Sequence, residues 1–183
     1  LGAASSKLGS NAEINDLTQA LGVGLGSKFN VDDLRYDKVI IMTDADVDGA
    51  HIASLLITFF YQEMPELIRG SHLYLAVPPL YVIRQGGKTV YARNDAHRAE
   101  LMETVFKGKK VEIGRFKGLG EMMAAQLKET TMDPAKRTLL RVGIDEVDFE
   151  GTREAVDNLM GTRPEARFRF IQERAAFADN LDI

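Results

Sequence analysis

The chain of 183 residues contains no cysteine, so it can form no disulfide framework, and this absence favours a reducing compartment. It has no apolar run that approaches the length of a membrane span and no recognisable signal peptide. A cytoplasmic protein without a membrane partner is therefore expected. A basic excess is absent too, since the net charge of −4 argues against a stand-alone nucleic-acid binder. The chain begins Leu1-Gly2 without methionine, which indicates a fragment.

Three aspartates stand at every second position after a short apolar segment. The segment Lys38–Thr43 is typical of a buried strand, and Asp44, Asp46 and Asp48 follow it. Alternate side chains of an extended backbone point to one side, so the three carboxylates are expected to converge. A divalent cation relieves their mutual repulsion. Oxygen ligands without histidine or cysteine favour Mg²⁺, with Mn²⁺ as the alternative, over zinc.

Two other interpretations of this acidic run compete with a metal site. The simpler one is a polar turn in which Asp48 is the N-cap of the next helix, but a single aspartate would suffice for that. The second is a calcium-binding EF-hand loop. Such a loop needs a preceding helix and a bidentate glutamate at its twelfth position, where this chain has a strand pattern and Leu55. A strand-end Mg²⁺ site of a phosphoryl- or nucleotidyl-transfer enzyme fits better.

The acidic run lies between two predicted strands. A helix follows Gly49, and the spacing of its apolar residues predicts one buried face formed by Ile52, Leu55, Leu56, Phe59 and Phe60. His72–Val77 is the second predicted strand. The order strand, acidic turn, helix, strand predicts an α/β fold with a parallel sheet. In such sheets ligands bind at the carboxyl ends of the strands, where the aspartates stand.

The rest of the chain predicts further helices and strands. In chain order they are a helix near Ile14–Leu21, a hairpin of Leu80–Arg84 and Thr89–Ala92, a helix from the cap Asn94 to Phe106, a strand at Val111–Phe116, helical patterns at Met122–Glu129 and after Pro134, a strand at Leu139–Ile144, and two helices at the carboxyl end. Basic clusters at Lys107–Lys117 and Arg163–Arg174 fit phosphate contacts and solvated helix faces equally well.

Four segments in order resemble one known family. The stretch from Asp37 to Tyr61, DKVIIMTDADVDGAHIASLLITFFY, is similar to the Toprim domain of bacterial type IIA topoisomerase B subunits. The further matching segments are Ala76-Val77-Pro78-Pro79-Leu80-Tyr81, Phe116-Lys117-Gly118-Leu119-Gly120-Glu121-Met122 and Glu129-Thr130-Thr131-Met132-Asp133-Pro134. His51-Ile52-Ala53-Ser54 resembles the topoisomerase IV branch more closely than the gyrase branch. The resemblance covers the chain from about residue 31 onward.

The resemblance implies a fold and a mechanism. The fold is a Rossmann-like parallel Toprim sheet flanked by helices, with a mixed α/β extension. The implied function is part of an ATP-dependent topoisomerase that relaxes or decatenates DNA during chromosome segregation by passing one duplex through another. A tyrosine of the A subunit attacks the DNA, Mg²⁺ on the Toprim aspartates assists cleavage and religation, and a separate N-terminal domain uses ATP. The A and B subunits form a heterotetramer. The gyrase alternative would introduce negative supercoils.

The resemblance also assigns roles to individual residues. Asp44 and Asp46 match the family's Mg²⁺ ligands, and Asp48 matches a third acid that reaches a second metal position or acts through water. His51 and Lys117 match positions near bound DNA. For Lys117, the neighbouring glycines allow the backbone to approach a phosphate. The candidate DNA contacts near the carboxyl end are Arg167 and Arg169, which fit a salt-bridged surface or an A-subunit contact as well.

This sequence departs from the family pattern in one important respect. The family's metal site also uses a glutamate in a Glu-Gly-Asp-Ser segment, and neither that segment nor the later Arg-Gly-Lys segment occurs here. The expected domains are therefore residues 1–80, a Toprim core without its first strand and catalytic glutamate, and residues 81–183, the extension. No complete catalytic set is expected, and the chain alone is expected to cleave no DNA.

Two rival interpretations come from other classes of protein. Asp46-Val47-Asp48-Gly49 resembles the start of haloacid-dehalogenase-like phosphatases, in which the first aspartate is a nucleophile. Those enzymes also need a later pair of acids at strand ends, and no convincing pair follows. The other rival is a non-catalytic module that docks onto the A subunit.

Overall fold

The computed structural model describes residues 10–44, 46–145 and 147–175. The chain divides into two compact units, Leu1–Val142 and Gly143–Ile183. The α-helices of the first unit are α1 (Ala12–Leu21), α2 (Val47–Glu63), α3 (Pro65–Arg69), α4 (Asp95–Thr104) and α5 (Ala124–Leu127). Its strands are β1 (Val39–Ile41), β2 (Leu73–Ala76), β3 (Tyr81–Gln85), β4 (Lys88–Ala92), β5 (Glu112–Arg115) and β6 (Leu139–Arg141). The second unit contains α6 (Phe149–Met160) and α7 (Pro164–Arg174).

The first sheet carries the acidic run at its edge. Its strand order is β1-β2-β6, with β1 parallel to β2 and β6 antiparallel to β2. Val39 pairs with Leu73, and Ile41 pairs with Leu75. The parallel pair connected through α2 confirms the predicted α/β order, and Asp44 follows the carboxyl end of β1. The antiparallel β6 makes the sheet mixed rather than fully parallel.

The second sheet is an antiparallel layer with the order β4-β3-β5. Side chains alternate across a strand, so β3 has an apolar residue for each face. Tyr81 and Ile83 pack with Phe106 on one side, while Val82 packs with Phe116 and Met122 on the other. The second cluster anchors the chain on both sides of residues 117–121, and this anchoring positions that loop.

Helix α2 buries only part of the apolar face that the sequence predicted. Its buried positions are Gly49, Ala53, Phe59 and Phe60. Phe59 and Phe60 are buried as predicted, whereas Ile52 and Leu55 are each 50% exposed, so the prediction is wrong for these two. The cause is the close approach of Gly49 to the backbone of Asp44, which directs the Gly49–Ala53 side of the helix inward.

The predicted strands and helices are largely present, with shorter strands and one wrong helix. Strand β1 ends at Ile41 rather than Thr43, and β6 ends at Arg141 rather than Ile144. Helix α5 continues into a π-helix at Lys128–Met132. A turn replaces the helix predicted after Pro134, because the Asp133 side chain accepts a hydrogen bond from the Ala135 N–H at 2.9 Å.

The turn after Pro134 is also held by an ion pair. Lys136 binds the carboxylate of Glu129 at 2.7 Å. The hydrogen bond to this carboxylate raises the pKa of the Lys136 ammonium.

The second unit is a pair of helices. The two predicted carboxyl-terminal helices are confirmed, and Asp148 caps the first of them by accepting a hydrogen bond from the Gly151 N–H at 2.9 Å. Among the residues that the structure describes, none of the helices has both the length and the apolar character of a membrane span. The division at residue 80 inferred from the sequence remains a prediction.

Candidate metal centre

The acidic run forms the junction between β1 and α2 rather than an extension of the strand. Asp46 is the N-cap of α2, and its carboxylate accepts a hydrogen bond from the Gly49 N–H at 2.7 Å. Asp48 lies in the first helical turn. The cap is therefore Asp46 and not Asp48. The strand-like alternation fails for Asp48 because the backbone has already turned into a helix, where residues two apart do not face each other.

Asp44 is held by a segment far away in the sequence. Its Oδ1 accepts a hydrogen bond from the backbone N–H of Leu119 at 2.7 Å. Hydrogen bonds to an ionised carboxylate are shorter and stronger than those between neutral groups. The first turn of α2 and the Lys117–Glu121 loop thus meet at Asp44.

Two glycines allow the backbone to pack tightly around Asp44. A Cβ at Gly118 would lie 2.9 Å from Asp44 Cγ and 3.0 Å from each carboxylate oxygen. Gly118 has φ −159° and ψ 174°, an extended conformation that any residue adopts, so the constraint on a side chain there is steric. A Cβ at Gly49 would collide with the backbone carbonyl oxygen of Asp44. Both glycines are therefore required by contact with the same aspartate.

The aspartates satisfy the chemistry of a magnesium ligand only in part. Each carboxylate offers about four lone-pair positions. The hydrogen bonds from Leu119 and Gly49 each use one position, so Asp44 and Asp46 retain hard oxygen donors of the kind Mg²⁺ prefers. Within the described part of the chain, no group of three or more His, Cys, Asp or Glu side chains is arranged to hold a metal. Asp48 is thus not gathered with the other two into a three-carboxylate cluster.

Of the two candidate DNA contacts in the first unit, Lys117 lies in the loop that contacts Asp44. Lys117 is exposed, and its backbone N–H is bound to the Glu121 carboxylate at 2.8 Å, two residues before the hydrogen bond to Asp44. His51 is exposed on α2, in the turn after the N-cap Asp46.

The two candidate DNA contacts near the carboxyl end belong to the second unit and differ from each other. The Arg167 guanidinium donates to the Gly161 carbonyl and lies 3.5 Å from the Leu159 carbonyl, so it satisfies the last carbonyls of α6. Arg169 is exposed and lines a cleft between the two helices with Phe170 and Glu173.

Sequence reasoning missed three residues of the site, namely Gly118, Leu119 and Glu121. The sequence predicts that their segment approaches a phosphate, and the structure adds that Gly118 and Leu119 lie against Asp44. The signal in the sequence was the Gly-Leu-Gly-Glu run itself. Its partner lies 75 residues away, and no local periodicity reveals so distant a contact.

Comparisons with known proteins identify the family. The Toprim domain model matches residues 1–78, and the model of the DNA gyrase B subunit carboxyl terminus matches residues 108–172. The chain is 68% identical to the B subunit of DNA topoisomerase 4 from Bartonella bacilliformis and 64% identical to that from Caulobacter vibrioides, over 99% of the chain in both cases. It is 48% identical to the B subunit of DNA gyrase from Halalkalibacterium halodurans over 97% of the chain.

The chain spans 26% of the length of the two topoisomerase 4 relatives and 28% of the gyrase relative. The Toprim model matches the first part of the chain, and the gyrase B model matches a later part. The higher identities to the topoisomerase 4 relatives agree with the branch that the sequence resembles more closely. This chain belongs to the family of bacterial type IIA topoisomerase B subunits and contains segments that match their Toprim domain and carboxyl-terminal region.

Proposed function

We propose that this chain is the metal-binding part of an ATP-dependent type IIA DNA topoisomerase, in which Asp44 and Asp46 hold Mg²⁺. The observation that supports this most directly is the fixed carboxylate of Asp44 at the carboxyl end of β1, held by Leu119 at 2.7 Å. A cation site needs carboxylates of defined orientation, and here a backbone donor restricts one. Asp48, in the first turn of α2, serves a second metal position or acts through water.

The proposed chemistry is assistance of DNA cleavage and religation. When bound, Mg²⁺ polarises the scissile phosphate and stabilises the leaving 3′ oxygen. The chain's own contribution is to hold that ion with Asp44 and Asp46, and to keep Asp44 oriented. The nucleophile is a tyrosine of the A subunit, so no tyrosine of this chain has to react.

The proposed partners are DNA and an A subunit in a heterotetramer. ATP is bound and hydrolysed by a separate N-terminal domain of the B subunit. His51, Lys117, Arg167 and Arg169 are the proposed DNA contacts. Arg167 would combine this role with its contact to α6. The identities of 68% and 48% favour decatenation and relaxation by a topoisomerase IV over supercoiling by a gyrase.

We also propose that the 183-residue chain cleaves no DNA alone, because it contains no Glu-Gly-Asp-Ser segment. Mixed with an A subunit, it would act as a docking module. Incubation with an A subunit, Mg²⁺ and supercoiled plasmid should leave the plasmid intact. Nicked or relaxed product above the level of the A subunit alone would contradict this proposal.

A graft tests the function in the context of an active enzyme. The 183 residues replace the matching region of the Bartonella bacilliformis protein, which is then assayed with its A subunit for Mg²⁺-dependent plasmid relaxation. We expect activity in the graft and a loss of about 100-fold or more in Asp44→Ala and Asp46→Ala versions, because a metal supplies several kcal/mol of charge stabilisation.

Asp16→Ala provides the matched control, since Asp16 is an exposed aspartate on α1. It should leave relaxation by the graft unchanged. A graft that relaxes DNA equally well with and without Asp44 would overturn the proposed metal site. Hydrolysis of p-nitrophenyl phosphate by the unaltered chain would favour the phosphatase alternative instead.

A further inference from the structure

The loop Lys117–Glu121 closes on itself through one side chain. The Glu121 carboxylate accepts a hydrogen bond from the Lys117 N–H at 2.8 Å. The backbone adds hydrogen bonds from the Glu121 N–H to the Gly118 carbonyl at 3.2 Å and from the Met122 N–H to the Leu119 carbonyl at 3.1 Å. Glu121 therefore ties the two ends of a five-residue turn, and this fixes the direction in which the Leu119 N–H points.

The turn is anchored in the core on both sides. Phe116 and Met122 are each 8% exposed and pack with Val82, and Leu119 packs against the same cluster. The middle of the turn faces Asp44, where the Leu119 N–H donates and Gly118 leaves room for the carboxylate. A turn that is anchored at both ends and directs one N–H toward a carboxylate can hold that carboxylate in the orientation of a metal ligand.

We infer that Glu121 is a positioning residue for the metal-binding aspartate, and that the loop Lys117–Glu121 orients the Asp44 carboxylate. Glu121 acts through the loop backbone and touches neither metal nor DNA. The loop needs from Glu121 an acceptor oxygen for the Lys117 N–H, and the amide oxygen of a glutamine can also accept that bond. This inference rests on the proposed Mg²⁺ site and adds the group that preorganises it.

The test compares two substitutions of Glu121 in the 183-residue chain. Glu121→Ala removes the acceptor, whereas Glu121→Gln removes the charge and keeps an acceptor oxygen. Binding of Mn²⁺ is measured by electron paramagnetic resonance of the free ion. We expect Glu121→Ala to weaken binding by about 10-fold or more, the usual effect of losing a group that orients a ligand. Glu121→Gln should stay within about 2-fold of the unaltered chain.

Glu103→Ala is the matched control, because Glu103 is an exposed glutamate on α4. It should leave Mn²⁺ binding unchanged. Equal losses in Glu121→Ala and Glu121→Gln would mean that the carboxylate charge, and not the acceptor oxygen, governs Mn²⁺ binding, and this would overturn the inference. Unchanged binding in Glu121→Ala would overturn it as well.

A second measurement separates this inference from the proposed function. In the metal-free chain, the amide resonance of Leu119 reports its hydrogen bond to Asp44. We expect that resonance to shift in Glu121→Ala and to stay in place in Glu121→Gln. A resonance that stays in place in both would overturn the positioning role even if Mn²⁺ binds. If the unaltered chain binds no Mn²⁺ while the amide shifts follow the expected pattern, the proposed metal site is overturned. The loop then has only a structural role.

Discussion

At the scale of single residues, the centre depends on how closely a backbone approaches one aspartate. The Asp44 carboxylate accepts a hydrogen bond from the Leu119 N–H. A Cβ at Gly118 would come too close to this carboxylate, and a Cβ at Gly49 would collide with the Asp44 backbone carbonyl. The sequence showed that acids and glycines were present. It could not show that they meet, because the contact joins positions 75 residues apart. The identity of the helix cap, Asp46 rather than Asp48, likewise depends on where the backbone turns.

Gly118→Ala tests this close approach. The added methyl group would lie 2.9 Å from Asp44 Cγ, so the carboxylate or the loop must shift. We expect a loss of about 1–3 kcal/mol in the free energy of unfolding, the usual effect of overpacking, measured by urea denaturation.

Gly120→Ala is the matched control for Gly118→Ala, since a Cβ at Gly120 meets nothing within 4 Å. It should cost less than about 0.5 kcal/mol. In an Asp44→Ala background the cost of Gly118→Ala should shrink, because the carboxylate is gone. Equal costs at the two glycines, or a cost that Asp44→Ala leaves unchanged, would contradict the proposed contact.

Substitutions of Asp46 separate its structural role from its proposed chemical one. Asn and Asp are equally good N-caps, and Ala is a poor one. Asp46→Asn should therefore keep the stability of the chain while weakening Mn²⁺ binding. Asp46→Ala should also lose about 1 kcal/mol, measured by denaturation alongside calorimetric titration. Unchanged Mn²⁺ affinity in Asp46→Asn would limit Asp46 to capping.

At the scale of whole elements, the periodicity of apolar residues predicted which helices and strands are present better than it predicted which residues of a helix are buried. The presence of α2 and the burial of Phe59 and Phe60 followed from its apolar residues, but the sequence did not show that Gly49 packs against Asp44. Strand β1 ends at Ile41 and α2 begins at Val47, so the strand is shorter than its apolar segment predicted. The turn after Pro134 reflects the side chain of Asp133, whose local hydrogen bond competes with helix formation.

The corrected orientation of α2 makes a stability prediction. Phe60 is 1% exposed and packs edge to face with Phe59, so Phe60→Ala should cost about 3–5 kcal/mol in the free energy of unfolding. Ile52→Gln and Leu55→Gln should each cost less than about 0.5 kcal/mol, because both side chains are half exposed. Thermal or urea unfolding measures these differences. A cost at Ile52 comparable to that at Phe60 would mean that Ile52 belongs to the buried face after all.

At the scale of the whole molecule, the sequence predicted the α/β class, the parallel pair and the family. The resemblance rested on four segments in order, and the two family models match residues 1–78 and 108–172. The parallel pair follows from the order of elements, because a helix returns the chain to the same edge of the sheet. The role of Arg167 was not predictable, since its contact with α6 depends on how two helices pack.

Hydrogen exchange distinguishes the two arginines of the second unit. Arg167→Ala removes the donor to the Gly161 carbonyl, so amides in the last turn of α6 should exchange several-fold faster. Arg169→Ala should leave those amides unchanged, which makes it the matched control. Equal acceleration in both variants would mean that Arg167 has no special part in holding the end of α6.

The proposed binding of a divalent cation beside Asp44 and Asp46 is tested most directly by paramagnetic broadening. Small amounts of Mn²⁺ are added to the ¹⁵N-labelled chain, and the intensity of each amide resonance is followed. We predict that the amides of Gly49 and Leu119 lose intensity first, and that Asp44→Asn removes the effect. Uniform broadening, or earlier broadening at Val147 and Asp148 beside the carboxylate of Asp145, would contradict a metal centre at the end of β1.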